Sequence, residues 1–140
     1  MDPQRPAPRY KLSVSHLNAD SFVSGGARSF FDYRDLGITD ATGGDFTARV
    51  VHAKPGPPVS TGWHYHTCDV QIVFCVRGWE ELAFEDGSVV RLEPGSCVNI
   101  PAGYGHNETG YSEDLEVIVF TQPSVIGTTQ IPVPSGCADL

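Results

Sequence analysis

Two histidines two residues apart, His64 and His66 in GWHYHTCDVQ, are the first residues whose type and spacing suggest chemistry. In an extended segment, alternate side chains share a face. Two steps of strand rise put their Cβ atoms roughly 6–7 Å apart. Both imidazoles can then reach one divalent ion at about 2.0–2.2 Å. Such a pair also occurs by chance on protein surfaces, so alone it is weak evidence. Other titratable candidates are scattered. Glu116 in LEVIVFT is an acid/base candidate if it faces inward, although it falls off the apolar alternation of Leu115, Val117 and Val119. His52 in FTARVVHA can face a cavity or the surface, and His16 belongs to an exposed arm. No glycine-rich phosphate loop and no Ser/His/Asp signature is present.

The elements around these residues read as strands and turns. FFDYRDLGI (30–38), FTARVVHA (46–53), DVQIVFCV (69–76), CVNI (97–100) and LEVIVFT (115–121) are rich in β formers. ATGG within 39–45 and KPGPP at 54–58 read as turns, and WEELAFEDGSVVRL (79–92) as a hairpin around Asp86-Gly87. No long 3.6-residue period appears. With 15 Gly and 11 Pro as punctuation, the chain reads as an all-β barrel or sandwich.

The length of 140 residues suits one domain. We divide it into an N-terminal arm (1–29), a barrel (30–122) and a tail (123–140) that supplies an edge strand or a packing arm. The net charge of −8 disfavours phosphate backbones and anionic membranes, so neither nucleic acid nor membrane is an expected partner. No apolar run approaches the roughly 20 residues that span a bilayer. MDPQRPAPRYKLSV lacks the apolar core of a secretory leader, which makes the cytoplasm the expected location. Cys68, Cys75, Cys97 and Cys137 form no C-x-x-C pair; Cys75 and Cys97 sit in apolar runs and read as small buried hydrophobes.

The histidine pair gains weight from its context. The segments GWHYHTCDVQ…Gly78 and GSCVNIPAGYGH resemble the two cupin motifs, G-x5-H-x-H-x3,4-E-x6-G and G-x5-P-x-G-x2-H-x3-N. Gly95, Pro101, Gly103 and His106 match the second at the family's spacing, and His64, His66 and Gly78 match the first. The resemblance implies a cupin-type double-stranded β-helix, or jelly-roll, barrel. It implies a divalent transition metal (Ni, Fe, Zn, Mn or Cu) held by His64, His66 and His106, and a homodimer. Pro58 stands at the first motif's glycine, Gly110 at the second motif's terminal Asn, and Gln71 at the acidic ligand. Gln71 is expected to ligate the ion or to hold a neighbouring histidine or water. A neutral amide leaves the ion's charge uncompensated and disfavours Ca²⁺ and Mg²⁺. Trp63, Tyr65, Trp79 and Tyr104 flank the motifs and belong to the core or the pocket wall. The implied function is a metal-dependent enzyme on a small anionic or enolisable substrate. A Lewis-acid isomerase, lyase or cyclase stands slightly ahead of a dioxygenase. The alternative is a non-catalytic metal- or ligand-binding module.

Overall fold

β-Branched and aromatic runs pair into sheets wherever Gly and Pro stop them, and here they form two. A computed structural model describes residues 2–18 and 20–139. The strands are β1 (Phe31–Asp35), β2 (Thr47–Ala53), β3 (His64–Thr67), β4 (Val70–Arg77), β5 (Glu80–Phe84), β6 (Val89–Leu92), β7 (Cys97–Asn99), β8 (His106–Tyr111), β9 (Glu116–Gln122) and β10 (Gly127–Gln130). One five-stranded sheet has the order β1-β2-β9-β4-β7 and the other β10-β3-β8-β5-β6. The paired strands are antiparallel. The two sheets form the jelly-roll barrel.

Alternation decides what faces the inside. Val51 of β2, Val73 and Cys75 of β4, and Val117 of β9 meet Leu82, Phe84, Leu92 and Tyr111 of the other sheet in a single core. Gly78 sits at φ +71°, and a Cβ there would fall 2.7 Å from Asp114 Oδ1 and 3.0 Å from Leu115 Cα, so only glycine fits between β4 and β5. Gly95 and Gly103 also adopt positive φ, at 92° and 75°. The Gly103 N–H donates to the carbonyl of His66 at 3.0 Å, which ties the PAGYG turn to the histidine strand.

Two local expectations change, and a third gains detail. Across the end of the expected 30–38 strand and the start of the 39–45 turn, Ile38–Ala41 forms a one-turn helix, α1. Thr42 closes it, its Oγ1 donating to the Ile38 carbonyl at 2.8 Å and accepting from Phe46 N–H at 3.1 Å. Cys75 is buried, but Cys97 is exposed, because β7 is an edge strand and Cys97 lies opposite the outward-facing Phe74. The residues after Pro123 supply β10, which pairs along β3 with Thr128 opposite His66. No helix among the described residues is long and apolar enough to cross a membrane.

Candidate metal centre

β3 and β8 bring the histidines together. His64 lies directly opposite His106 in the ladder, and His66 follows two residues on, on the same face. Ring centroids are 4.3 Å apart for His64–His106, 4.9 Å for His64–His66 and 5.2 Å for His66–His106. One ligand nitrogen from each ring lies within 4.8 Å of the others, a grouping that can hold one ion.

Hydrogen bonds set the orientation of each ring. His64 Nδ1–H donates to the Gly62 carbonyl at 2.7 Å and His106 Nδ1–H to the Tyr104 carbonyl at 2.9 Å. His66 Nδ1–H donates to Thr128 Oγ1 at 2.9 Å, with the Gly127 carbonyl at 3.4 Å. A carbonyl can only accept, so these bonds put the proton on Nδ1 and the lone pair on Nε2 of each ring, where His64 Nε2 has Arg28 Nη2 at 3.4 Å. Burial then keeps the rings neutral. It pushes His64 down to about 3 and His66 down to about 4, and lowers His106 as well. Neutral imidazoles are the metal-binding form.

Among the described residues, two buried side-chain polar atoms have no hydrogen-bond partner, His106 Nε2 and Gln71 Oε1. Leaving a buried acceptor unmatched costs about 1–3 kcal/mol, so each such atom calls for a partner. Gln71 enters from β4 in the opposite sheet, is 6% exposed, and lines the same cavity as His66. The orphaned Nε2 and the orphaned amide oxygen therefore fit a divalent ion.

The cavity beside the cluster measures about 320 Å³. Its apolar wall includes Phe31, Val51, Val73, Val117 and Val119. Its polar groups include Arg28, Tyr33, Arg49, Glu80 and Glu108. Glu80 is 4% exposed. Burial first, then the neighbouring Glu108 charge, push its carboxyl well above the usual range. Burial also raises Glu108, against the opposing pull of Arg28. Sequence reasoning missed both glutamates and Arg28. Glu108 was legible, since His106-x-Glu108 places it on the ligand face of β8.

Glu116 is not brought to the histidines. Val117, Val119 and Thr121 take the inward positions of β9, so Glu116 turns to the outer face, where its carboxylate meets His52 Nε2 at 2.7 Å. His52 stacks on Phe22 there, with ring centroids 3.7 Å apart. None of Trp63, Tyr65, Trp79 and Tyr104 lines this cavity; Trp63 is buried and donates to the Ala138 carbonyl at 3.0 Å, and Trp79 carries the Arg91 guanidinium 3.9 Å from its ring centroid.

Solved structures share this architecture. The polyketide cyclase RemF from Streptomyces resistomycificus superposes with a TM-score of 0.68 at 18% identity, over 88% of this chain and 89% of that one. KdgF from Halomonas sp. gives 0.61 at 22% identity, over 79% and 94%. Ectoine synthase from P. lautus gives 0.59 at 16%, over 91% and 96%. At these identities the likeness is one of fold. No curated protein matches by sequence. The family model for the cupin domain (Cupin_2) matches residues 49–121, which include His64, His66, Gln71 and His106, and the chain belongs to the cupin domain family.

Proposed function

We propose that this chain is a metal-dependent cupin enzyme that holds a divalent transition ion through His64, His66, His106 and Gln71 and acts on a small anionic or enolisable molecule as a Lewis-acid isomerase, lyase or cyclase. The observation that carries the reading is the pair of orphaned buried atoms, His106 Nε2 in the histidine cluster and Gln71 Oε1 on the cavity that His66 also lines, with the Nδ1–H groups of His64 and His66 already engaged. Bound there, the ion would supply stabilisation of negative charge developing on a substrate oxygen. All four donors are neutral, so none of that positive charge is spent on the protein.

The chain supplies the remaining parts. Glu80 and Glu108 line the cavity beside the cluster, and their raised carboxyls suit them to hold and pass a proton. They replace Glu116 as acid/base candidates. The apolar wall keeps bulk water away from a reacting carbon. Structural neighbours include a polyketide cyclase, an ectoine synthase and DMSP lyases, which makes enzymatic chemistry on this fold plausible. The same reading includes a homodimer, since Leu12, Val14 and Leu17 project exposed from the N-terminal arm.

The test is elemental analysis of protein purified without chelators or a metal-leaching tag. Near-stoichiometric Ni, Zn or Mn supports the proposal. Stoichiometric Fe moves the reading to oxygen chemistry. No metal after reconstitution leaves the non-catalytic binding module.

A further inference from the structure

Two guanidiniums enter the cavity from separate elements, Arg28 from the segment before β1 and Arg49 from β2. Both are half-buried. Neither has an ion-pair partner among the described residues. Glu108 lies within electrostatic reach of Arg28 but forms no ion pair with it, and a half-buried guanidinium that holds no carboxylate is a receptor for a planar anion.

The position of Arg28 is informative. Its Nη2 lies 3.4 Å from His64 Nε2. That nitrogen has one lone pair, so it accepts from Arg28 or binds an ion, but not both. Loading the cluster therefore releases the guanidinium to another acceptor in the cavity. The charge balance says which kind. Two guanidiniums and a doubly charged ion outweigh Glu80 and Glu108 even with both carboxylates ionised. The loaded cavity is left positive, in surroundings where apolar side chains weaken screening. The apolar lining of Phe31, Val51, Val73, Val117 and Val119, which adjoins Arg49 across β2 and β9, suits a hydrocarbon body and not a fully hydrated polyanion.

We propose that Arg28 and Arg49 receive the carboxylate of a small ligand with an apolar body, whose adjacent oxygen faces the histidine cluster, which makes the substrate class a 2-oxo or 2-hydroxy carboxylate. The short span between the two oxygens follows from Arg28 lying beside His64, 3.4 Å from its Nε2, so a carboxylate on the released guanidinium sits next to the ion's place. The proposal rests on the metal-dependent reading above.

The experiment is calorimetric titration of 4-methyl-2-oxopentanoate and its neutral methyl ester into wild type, Arg28→Gln, Arg28→Lys and Arg49→Gln, each metal-free and Zn²⁺-loaded. Thermal melts check that the variants fold. Arg28→Gln is expected to weaken the acid at least about 30-fold, with partial recovery in Arg28→Lys, and the ester to bind wild type at least about 30-fold more weakly than the acid. Equal affinity of acid and ester, equal affinity of wild type and both glutamine variants, or no binding of the acid to wild type overturns the proposal. Should the variants fail to fold, the acid-to-ester ratio on wild type decides it. Arginine dependence without any effect of Zn²⁺ would sink the metal-dependent reading and leave the anion receptor standing. Zn²⁺ dependence without arginine dependence would do the reverse.

Discussion

His64 and His106 face each other at the paired position of β3 and β8, fully buried and with ring centroids 4.3 Å apart. Each is oriented by a carbonyl two residues back in its own chain, Gly62 for His64 and Tyr104 for His106. The turns before the two strands therefore aim the two rings. We expect His64→Ala and His106→Ala each to reduce Zn²⁺ affinity at least about 100-fold and to abolish the rise in melting temperature that the ion gives wild type. That rise reflects roughly 4 kcal/mol when the ion is at a thousandfold excess over its Kd. Equal zinc content in His106→Ala would show that the orphaned Nε2 serves another purpose.

Gln71 separates two roles for its amide. If Oε1 binds the ion, Gln71→Glu should hold Zn²⁺ at least as tightly as wild type, because a carboxylate is a better ligand than an amide. Gln71→Leu should weaken it about tenfold while the metal-free fold survives, since the substitution removes an unmatched acceptor. Competition with a chromogenic chelator reads both. Unchanged affinity in the leucine variant would remove Gln71 from the ligand set.

The depressed imidazoles predict an unusual pH profile for metal uptake. At pH 5, proton competition at an ordinary histidine, titrating near 6.5, would lower metal affinity about 30-fold. His64 titrates at about 3 and His66 at about 4, so neither holds a proton at pH 5. His106 is shifted in the same direction. Zn²⁺ affinity is therefore expected to fall by much less than about 30-fold between pH 7 and pH 5, and to drop steeply below pH 4. A steep loss beginning at pH 6.5 would mean that water reaches all three rings.

Glu80 gives the opposite linkage. Its carboxyl is raised in the folded chain, so its protonated form is the one the fold favours. The penalty is absent below its unfolded value near 4.5 and grows as pH climbs toward the folded value. Glu80→Gln removes that penalty. In urea unfolding of the metal-free protein, the variant should gain stability over wild type at pH 8 and match it at pH 4. Equal destabilisation at both pH values would identify a structural hydrogen bond instead.

How much could be read beforehand depended on whether a signal was local. Gly78, Gly95, Pro101 and Gly103 mark chain reversals through backbone conformation, which a sequence states directly. β2, β4, β7, β9 and the β5–β6 hairpin likewise announce themselves by β formers between stops. α1 did not, because a single turn is too short to show a period, and Thr42 holds it through side-chain bonds. Arg28 was invisible for a different reason. Its place in the cavity depends on Val23 bridging to Tyr33 and on the Tyr33 hydroxyl accepting its main-chain N–H at 2.9 Å, contacts no spacing encodes. Glu80 sits in WEELAF, where either neighbouring glutamate could have faced inward. A bulge between Glu81 and Leu82 makes simple alternation unsafe there.

The pairing of β10 with β3 has a consequence for how the protein is made. His64, His66, Gln71 and His106 all precede β10 in the chain, yet Thr128 of β10 is what orients His66. A ribosome adding about 5–20 residues per second exposes every donor a second or more before that strand arrives. During this interval a nascent chain has two imidazoles aimed by their own turns and a third still swinging. Tight capture of an ion thus waits for β10, and a chain stalled after β9 would carry its donors intact and its grip unfinished.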